Sequence, residues 1–314
     1  MRGVAYQHFA RVYTRDDNME NILVALIHGI VLGGAYGSIA LGLSMVFGVT
    51  RIVNYAHGSM LMISTFAYYG LWELFGINPY LGIIIVAPLM YGFAYMIMKT
   101  LIRPLILRER ASVISPLSVL LLTVGIWIAL DNLFMMIFGS TYRTMETPAN
   151  NKYFEVGDAV FVTQYSKIIA FFGSLVIAGA LWFILNRTEI GLRIRAVSQN
   201  RDAAAICGVD VYKTYNVAFG LGVGTVSIAG ALLSQFFFVQ PQIGATFGTK
   251  SFMIVVLGGL GSIPGALIGG LIFGIVETLG AQFITSTSAS MLSFLLFIIV
   301  LFFRPKGLMG KIKL

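Results

Sequence analysis

Long apolar runs separated by short polar stretches dominate this chain. The runs fall at 22–48, 57–76, 80–98, 117–138, 166–185, 215–239, 263–284 and 289–303, with a shorter one at 247–260. Crossing the roughly 30 Å hydrocarbon core of a bilayer takes about 20 helical residues. The run 247–260 is too short to cross alone and is expected to be a half-helix or re-entrant element. No run shows the period-two alternation of a barrel strand, and apolarity extends round every face, so helices are expected to satisfy the backbone. The pattern predicts an all-α polytopic membrane protein with about eight to nine transmembrane elements. One transmembrane domain is expected over 21–310, after an N-terminal extension (1–20) and before a tail (311–314).

The polar stretch 187–213 breaks this pattern. Arg187, Arg193, Arg195, Arg201 and Lys213 lie there with Glu189, Asp202 and Asp210. Ile190, Ile194, Val197 and Ala204 or Ala205 recur at helical spacing, so this stretch is expected to be helical.

Composition agrees: 58% of residues are hydrophobic and 11% charged, against roughly 25% charged in soluble domains. The net charge of +8 sits beside the apolar runs, which points to orientation in a membrane and not to nucleic acid. Basic residues gather in 99–116 (Lys99, Arg103, Arg108, Arg110), in the polar stretch and after Phe303 (Arg304, Lys306, Lys311, Lys313). The stretch 139–165 holds only Arg143 and Lys152 against Glu146, Glu155 and Asp158. The positive-inside rule puts the first three in the cytoplasm and the last outside, with the N-terminus outside and the C-terminus inside. The first 20 residues lack the apolar core of a signal peptide. The sole cysteine, Cys207, forms no internal disulfide and is expected to be a packed thiol.

Two stretches share a plan. A glycine-studded run (Gly29, Gly33, Gly34, Gly37, Gly42) precedes a broken segment at 51–59, and another (Gly220, Gly222, Gly224, Gly230) precedes one at 240–251. Running in opposite directions, they would form inverted repeats with a solute site near the midplane. The alternative is that these glycines only permit close helix packing.

Candidate chemistry concentrates near the breaks. Asn54, His57 and Gly58 sit at an expected helix start, whose unpaired N–H groups suit a carboxylate or an amide oxygen. His57 would alternatively lock the turn by donating to a carbonyl. Gly248 and Lys250 are expected to supply the matching element from the second repeat; Lys250 either meets a solute carboxylate or snorkels. Asp131 and Glu277 lie within apolar runs, at about 2.5–3.5 kcal/mol each on insertion scales, and should face the interior. Asp131 would contact solute or cap its helix, and Glu277 would bond a neighbouring helix. Gly258, Gly259, Gly261, Pro264 and Gly265 form a glycine-rich loop. No Gly-Lys-Ser/Thr follows it, so a tight turn is expected and no bound nucleotide. No metal cluster and no catalytic set is evident, which argues against an enzyme.

Several motifs carry a resemblance. Val53-Asn54-Tyr55-Ala56-His57-Gly58 resembles the NFAHG signature of branched-chain amino acid importer permeases, with tyrosine for phenylalanine. Tyr36 to Leu43, Leu257 to Ala266 with Gly269, Gly270 and Glu277, and Arg304-Pro305-Lys306-Gly307-Leu308 resemble further segments of that family, in its order. Asp202, Ala203, Ala204 and Gly208 have the spacing of the EAA motif of ATP-binding-cassette importers, with aspartate for glutamate. In such a motif small alanines allow close approach to an ATPase, and a glycine ends the helix at positive φ. The alternative is an ordinary solvated helix. Arg193, Arg195 and Arg201 flank the motif. The chain is more similar to the LivH-type half than to the LivM-type half. Asp131 departs from the neutral amide more usual in the family.

The resemblance implies a multi-pass permease subunit of the cytoplasmic membrane. It would carry branched-chain amino acids, or a relative such as urea or a short amide, by alternating access. Its expected partners are a second, LivM-type permease chain, two cytoplasmic ATPase subunits that use the ATP, an extracytoplasmic solute-binding protein and the lipid bilayer. No cofactor is expected on this chain. The competing reading is an ion- or proton-coupled secondary transporter, which Asp131 and Glu277 would suit; such a transporter has no need of the Asp-Ala-Ala loop.

Overall fold

The computed structural model describes residues 17–109, 117–147, 152–156 and 161–310. The expected N-terminal extension therefore lies outside the described residues up to residue 16, as do Arg110, Lys311 and Lys313. The chain is helical nearly throughout. In order come α1 (Asp17–Thr50), α2 (His57–Phe75), α3 (Pro79–Ile97), a π-helical turn (Met98–Ile102), α4 (Arg103–Glu109) and α5 (Leu117–Phe138). A hairpin of β1 (Tyr153–Val156) and β2 (Phe161–Gln164) pairs Tyr153 with Gln164. Then follow α6 (Tyr165–Arg187), α7 (Glu189–Gln199), α8 (Arg201–Ile206), α9 (Val211–Leu233), α10 (Ile243–Gly258), α11 (Ile263–Phe283) and α12 (Ser286–Phe303).

Among the described residues, 6 helices are long and apolar enough to cross a membrane: α1, α3 with its continuation, α5, α6, α9 and α11. The chain is thus a multi-pass helical membrane protein, but length and apolarity mark fewer spans than the eight or nine expected. The helices α10 and α12 are shorter, and α2, expected as a span, is not among the six. The second break also differs from expectation. α9 stops at Leu233 and α10 begins at Ile243, so the break is 234–242 and not 240–251.

The contacts are reciprocal. α1 crosses α9, α2 crosses α10, α1 packs on α11 as α9 packs on α3, and α9 meets α2 as α1 meets α10. Exchanging α1, α2 and α3 for α9, α10 and α11 reproduces the pattern. Glycines set the two self-paired crossings: a Cβ on Gly42 would strike the Gly222 carbonyl, and one on Gly58 the Gly244 carbonyl. The broad α1–α11 contact is an antiparallel glycine seam. Gly29 faces Ile275, Gly33 faces Leu271, Gly37 faces Leu267 and Gly48 faces Gly261. Small residues let backbones approach closely where hydrophobic exclusion from water offers no driving force.

The breaks return the chain to the interior. Arg51 takes a left-handed φ of 58° just after α1, a conformation costing roughly 1–2 kcal/mol for a non-glycine residue. Thr50 Oγ1 accepts from Ile52 N (3.2 Å) and ties the reversal down. His57 Nε2 then lies 3.1 Å from the Ile39 carbonyl. Ile39 precedes the end of α1 by eleven residues, so α2 starts about 16 Å inside that end. From there α2 runs to the hairpin end, where Phe66 and Tyr69 flank Arg143. α10 runs the other way, to the turn beside Gly48. Both α2 and α10 are therefore half-helices whose N-termini meet inside the protein.

Each end of the bundle is tied. At one, Arg143 and Val239 exchange backbone bonds (3.1 and 2.8 Å), Thr147 Oγ1 donates to Gln235 Oε1 (2.7 Å), and the Arg143 guanidinium lies 5.4 Å from the Phe138 ring. At the other, the Arg103 guanidinium lies 5.2 Å from the Tyr212 ring at the start of α9. There the segment after α12 returns: Leu308 N donates to Leu257 O (2.8 Å) and Met309 N to Gly258 O (3.0 Å). Gly259 and Gly261 adopt positive φ of 108° and 82°, making the tight turn expected of the glycine loop.

Candidate solute site

The first break positions Asn54 and His57. Thr123 of α5 holds the extended piece, accepting from Tyr55 N and donating to Val53 O, each at 3.4 Å. Asn54 Oδ1 accepts from Ala56 N (3.1 Å), an Asx turn that redirects the chain into α2. Both side chains are buried, at 3% and 1% exposure. Among the described residues Asn54 Nδ2 and His57 Nδ1 find no hydrogen-bond partner, which is costly unless something else satisfies them.

Asn54, His57, Gly248 and Thr249 line one cavity of about 130 Å3, with Leu43, Trp127 and Phe252 as apolar walls. Gly58 sits just beneath, against Gly244 and Gly248. Neither half-helix has a side-chain cap. Around them, α3, α9, α11 and α12 are capped by Asn78, Asp210, Ser262 and Thr285. Two N-termini without side-chain caps, their dipoles converging on one cavity, favour negative charge or a carbonyl oxygen.

Lys250 directly follows the cavity-lining Thr249 but is engaged elsewhere. Its Nζ lies 2.7 and 2.9 Å from the Glu277 carboxylate and donates to Tyr36 Oη at 3.0 Å. The pair is largely buried, with 16% and 15% of the side chains exposed. This partner takes the place of both roles considered for Lys250, the solute carboxylate and the membrane interface. Glu277 also accepts from Ser290 Oγ (3.1 Å), joining α10, α11 and α12. Asp131 accepts from Ser59 Oγ (2.6 Å) and Trp127 Nε1 (2.7 Å). Sequence reasoning missed Trp127, Thr249 and Ser59; Trp127 stands four residues before Asp131, an i,i+4 pair that could have drawn attention.

The polar stretch forms two short helices. Asn200 Oδ1 caps α8 through Asp202 N and Ala203 N, both at 3.0 Å. Gly208 has φ 82°. Ile194, Val197 and Ala204 are buried, whereas Ile190 is 47% exposed and drops out of the expected face. Ala203 and Ala205 face outward beside Ile206, which is 88% exposed. The basic side chains are solvated: Arg193 approaches Glu189 at 3.5 Å and Arg201 approaches Asp202 at 3.6 Å, both pairs exposed, while Arg195 reaches Asn186 at 3.5 Å. Cys207 is exposed, not packed as expected, because positive φ at Gly208 turns the chain immediately after it. Of the glycine loop, Gly258 and Gly265 press together and Pro264 opens α11.

A multi-pass helical protein whose uncapped half-helices converge on a small, mostly apolar cavity with a few polar groups has the build of a membrane permease. The chain belongs to the family described as "Branched-chain amino acid transport system / permease component", which matches residues 25–301. BraD of Pseudomonas aeruginosa, a high-affinity branched-chain amino acid transport system permease protein, is 30% identical over 303 residues, covering 92% of this chain and 96% of that protein. LivH of Escherichia coli, described in the same words, is 29% identical over 307 residues with the same coverage. A probable LivH of Methanocaldococcus jannaschii is 29% identical over 287 residues, 87% of each chain. Among solved structures, PsaBC from Streptococcus pneumoniae in complex with Fab aligns with TM-score 0.46 at 15% identity, over 96% of this chain and 97% of that one.

Proposed function

We propose that this chain is the LivH-type permease subunit of an ATP-binding-cassette importer for branched-chain aliphatic amino acids, or for a related small solute such as urea or a short amide. The observation that carries this reading is the cavity at the meeting of α2 and α10. There the unpartnered buried atoms of Asn54 and His57 lie between two uncapped helix N-termini. A carboxylate held by the helix N–H groups and Asn54 Nδ2 leaves its aliphatic side chain against Leu43, Trp127 and Phe252.

The reciprocal packing supports two inverted repeats (α1 to α3 and α9 to α11) and alternating access about their shared crossings. Counted with its half-helices, the domain has nine membrane elements. The basic residues Arg103, Arg187, Arg193, Arg195, Arg201, Lys213, Arg304 and Lys306 go to the cytoplasm with the C-terminus, by the positive-inside rule. Two partner ATPases grip α8 through Ala203, Ala205 and Ile206 and supply the ATP chemistry; this chain binds no nucleotide. A second permease chain of LivM type covers the polar stripe Gln242, Thr246 and Thr249 on the exposed face of α10. An extracytoplasmic binding protein delivers solute at the hairpin end.

The test is reconstitution with the partner subunits. ATP-dependent uptake of leucine into proteoliposomes that requires the ATPases is expected. Uptake by this chain alone under an ion gradient would replace the reading with a secondary transporter.

A further inference from the structure

Asp131 stands beside the cavity without lining it. It lies on α5 and its carboxylate bridges two elements: one oxygen accepts from Ser59 Oγ at 2.6 Å, the other from Trp127 Nε1 at 2.7 Å. Ser59 is fully buried in the first turn of α2, two residues after His57. Trp127 does line the cavity. The carboxylate thus fixes the indole relative to the turn that carries His57. Both bonds are short, and because an indole N–H can only donate, the carboxylate is the acceptor that holds it. A solute ammonium would have to compete with both bonds.

We infer that Trp127 is the wall that reads the apolar part of the solute, and that Asp131 is a positioning residue that sets this wall's distance from the polar end of the site. The inference rests on the amino-acid permease reading above. A rigid indole lining the same cavity as Leu43 and Phe252 gives a side-chain pocket of fixed depth, whereas a free indole would turn and admit smaller side chains equally well.

The test compares ATP-driven uptake of leucine and alanine by the complete reconstituted complex, carrying wild type, W127A, W127F, D131A or D131N. Tryptophan emission is read in parallel in a background with Trp72 and Trp182 replaced by phenylalanine. The leucine-over-alanine ratio of kcat/KM should fall about tenfold in W127A and D131A, the scale of a lost methylene-sized contact. Alanine transport itself should persist. Asparagine accepts from the indole and donates to Ser59, so D131N should keep the ratio and the emission maximum, while D131A shifts the emission. W127F keeps a ring but loses the N–H, and it covers the case in which D131A fails to assemble; it should also lose discrimination. An unchanged ratio in W127A and W127F, or an equal fall for both solutes in every variant, would overturn the inference while leaving the permease reading intact. Absence of ATP-driven uptake of either solute by wild type would instead remove the permease reading and this inference with it.

Discussion

Replacing Gly58 by alanine tests the half-helix crossing most directly. The added methyl would meet the Gly244 carbonyl oxygen first, then its carbon at 2.8 Å and Gly248 Cα at 3.0 Å. Carbon pairs prefer about 3.5–4.0 Å, so the crossing must open by roughly 1 Å. Every obstructing atom is backbone, and no rotamer change relieves the clash. Overpacking of this kind costs about 1–3 kcal/mol, equivalent to about 5- to 150-fold in a conformational equilibrium. At about 2–4 °C per kcal/mol for a large domain, the melting temperature in detergent should fall by about 2–12 °C. Gly70→Ala on the same helix is the control, since no heavy atom lies within 4 Å of its added carbon. Gly244→Ala presses back on the Gly58 carbonyl at 2.9 Å, so the double variant should be less than additive, one opening relieving both clashes. If Gly58→Ala melts and transports like wild type and Gly70→Ala, the close crossing is not a feature of the working protein.

Other expectations concern the ion pair, the inner helices and the outer tie. Lys250→Met or Glu277→Leu alone leaves a buried charge unpaired and should cost about 3–5 kcal/mol, seen as lost folded yield after extraction; the double variant should recover much of it. A full-length yield of the single variants equal to wild type would contradict the buried pair. Gly208→Val forces a branched residue to φ 82° and should uncouple ATP hydrolysis from uptake in the reconstituted complex; tight coupling in that variant would remove α8 from the drive. Cys207, the single cysteine, should react with an impermeant thiol reagent only once cells are opened, and labelling of intact cells would reverse the orientation. Arg143→Cys with Val239→Cys, directly paired across the hairpin-end tie, should form a disulfide that blocks uptake reversibly; full uptake while oxidised would show that this tie need not open.

Much of this architecture follows from local rules. Apolar runs mark α1, α3, α5, α6, α9 and α11 because lipid demands helices and helices of that length demand apolar residues. α2 was placed along the chain, at 57–76 against the observed His57–Phe75, but not in depth: its starting level is fixed by Arg51, Thr123 and the Ile39 carbonyl, none of which its own sequence declares. The site was legible as far as Asn54 and His57, where a helix start could be expected. Its other half was legible only at Gly248, which lines the same cavity: α10 begins four residues before the apolar run, and Gly244 acquires meaning only against Gly58. Lys250 and Glu277 are 27 residues apart, so their pairing is a property of the fold. In the sequence Arg143 counted only toward the charge balance of 139–165; its aromatic surroundings come from α2 and α5.

The segment from Arg304 to Gly310 has a practical bearing on how this protein is handled. Leu308 and Met309 supply donors to Leu257 and Gly258, and Gly310 lies against Gly259. A fluorescent reporter or purification tag joined directly after Phe303 would strip these donors from the turn and leave two carbonyls exposed at the junction of α10 and α11. Fusions should therefore begin beyond Gly310, with a linker long enough to let that residue keep its seat.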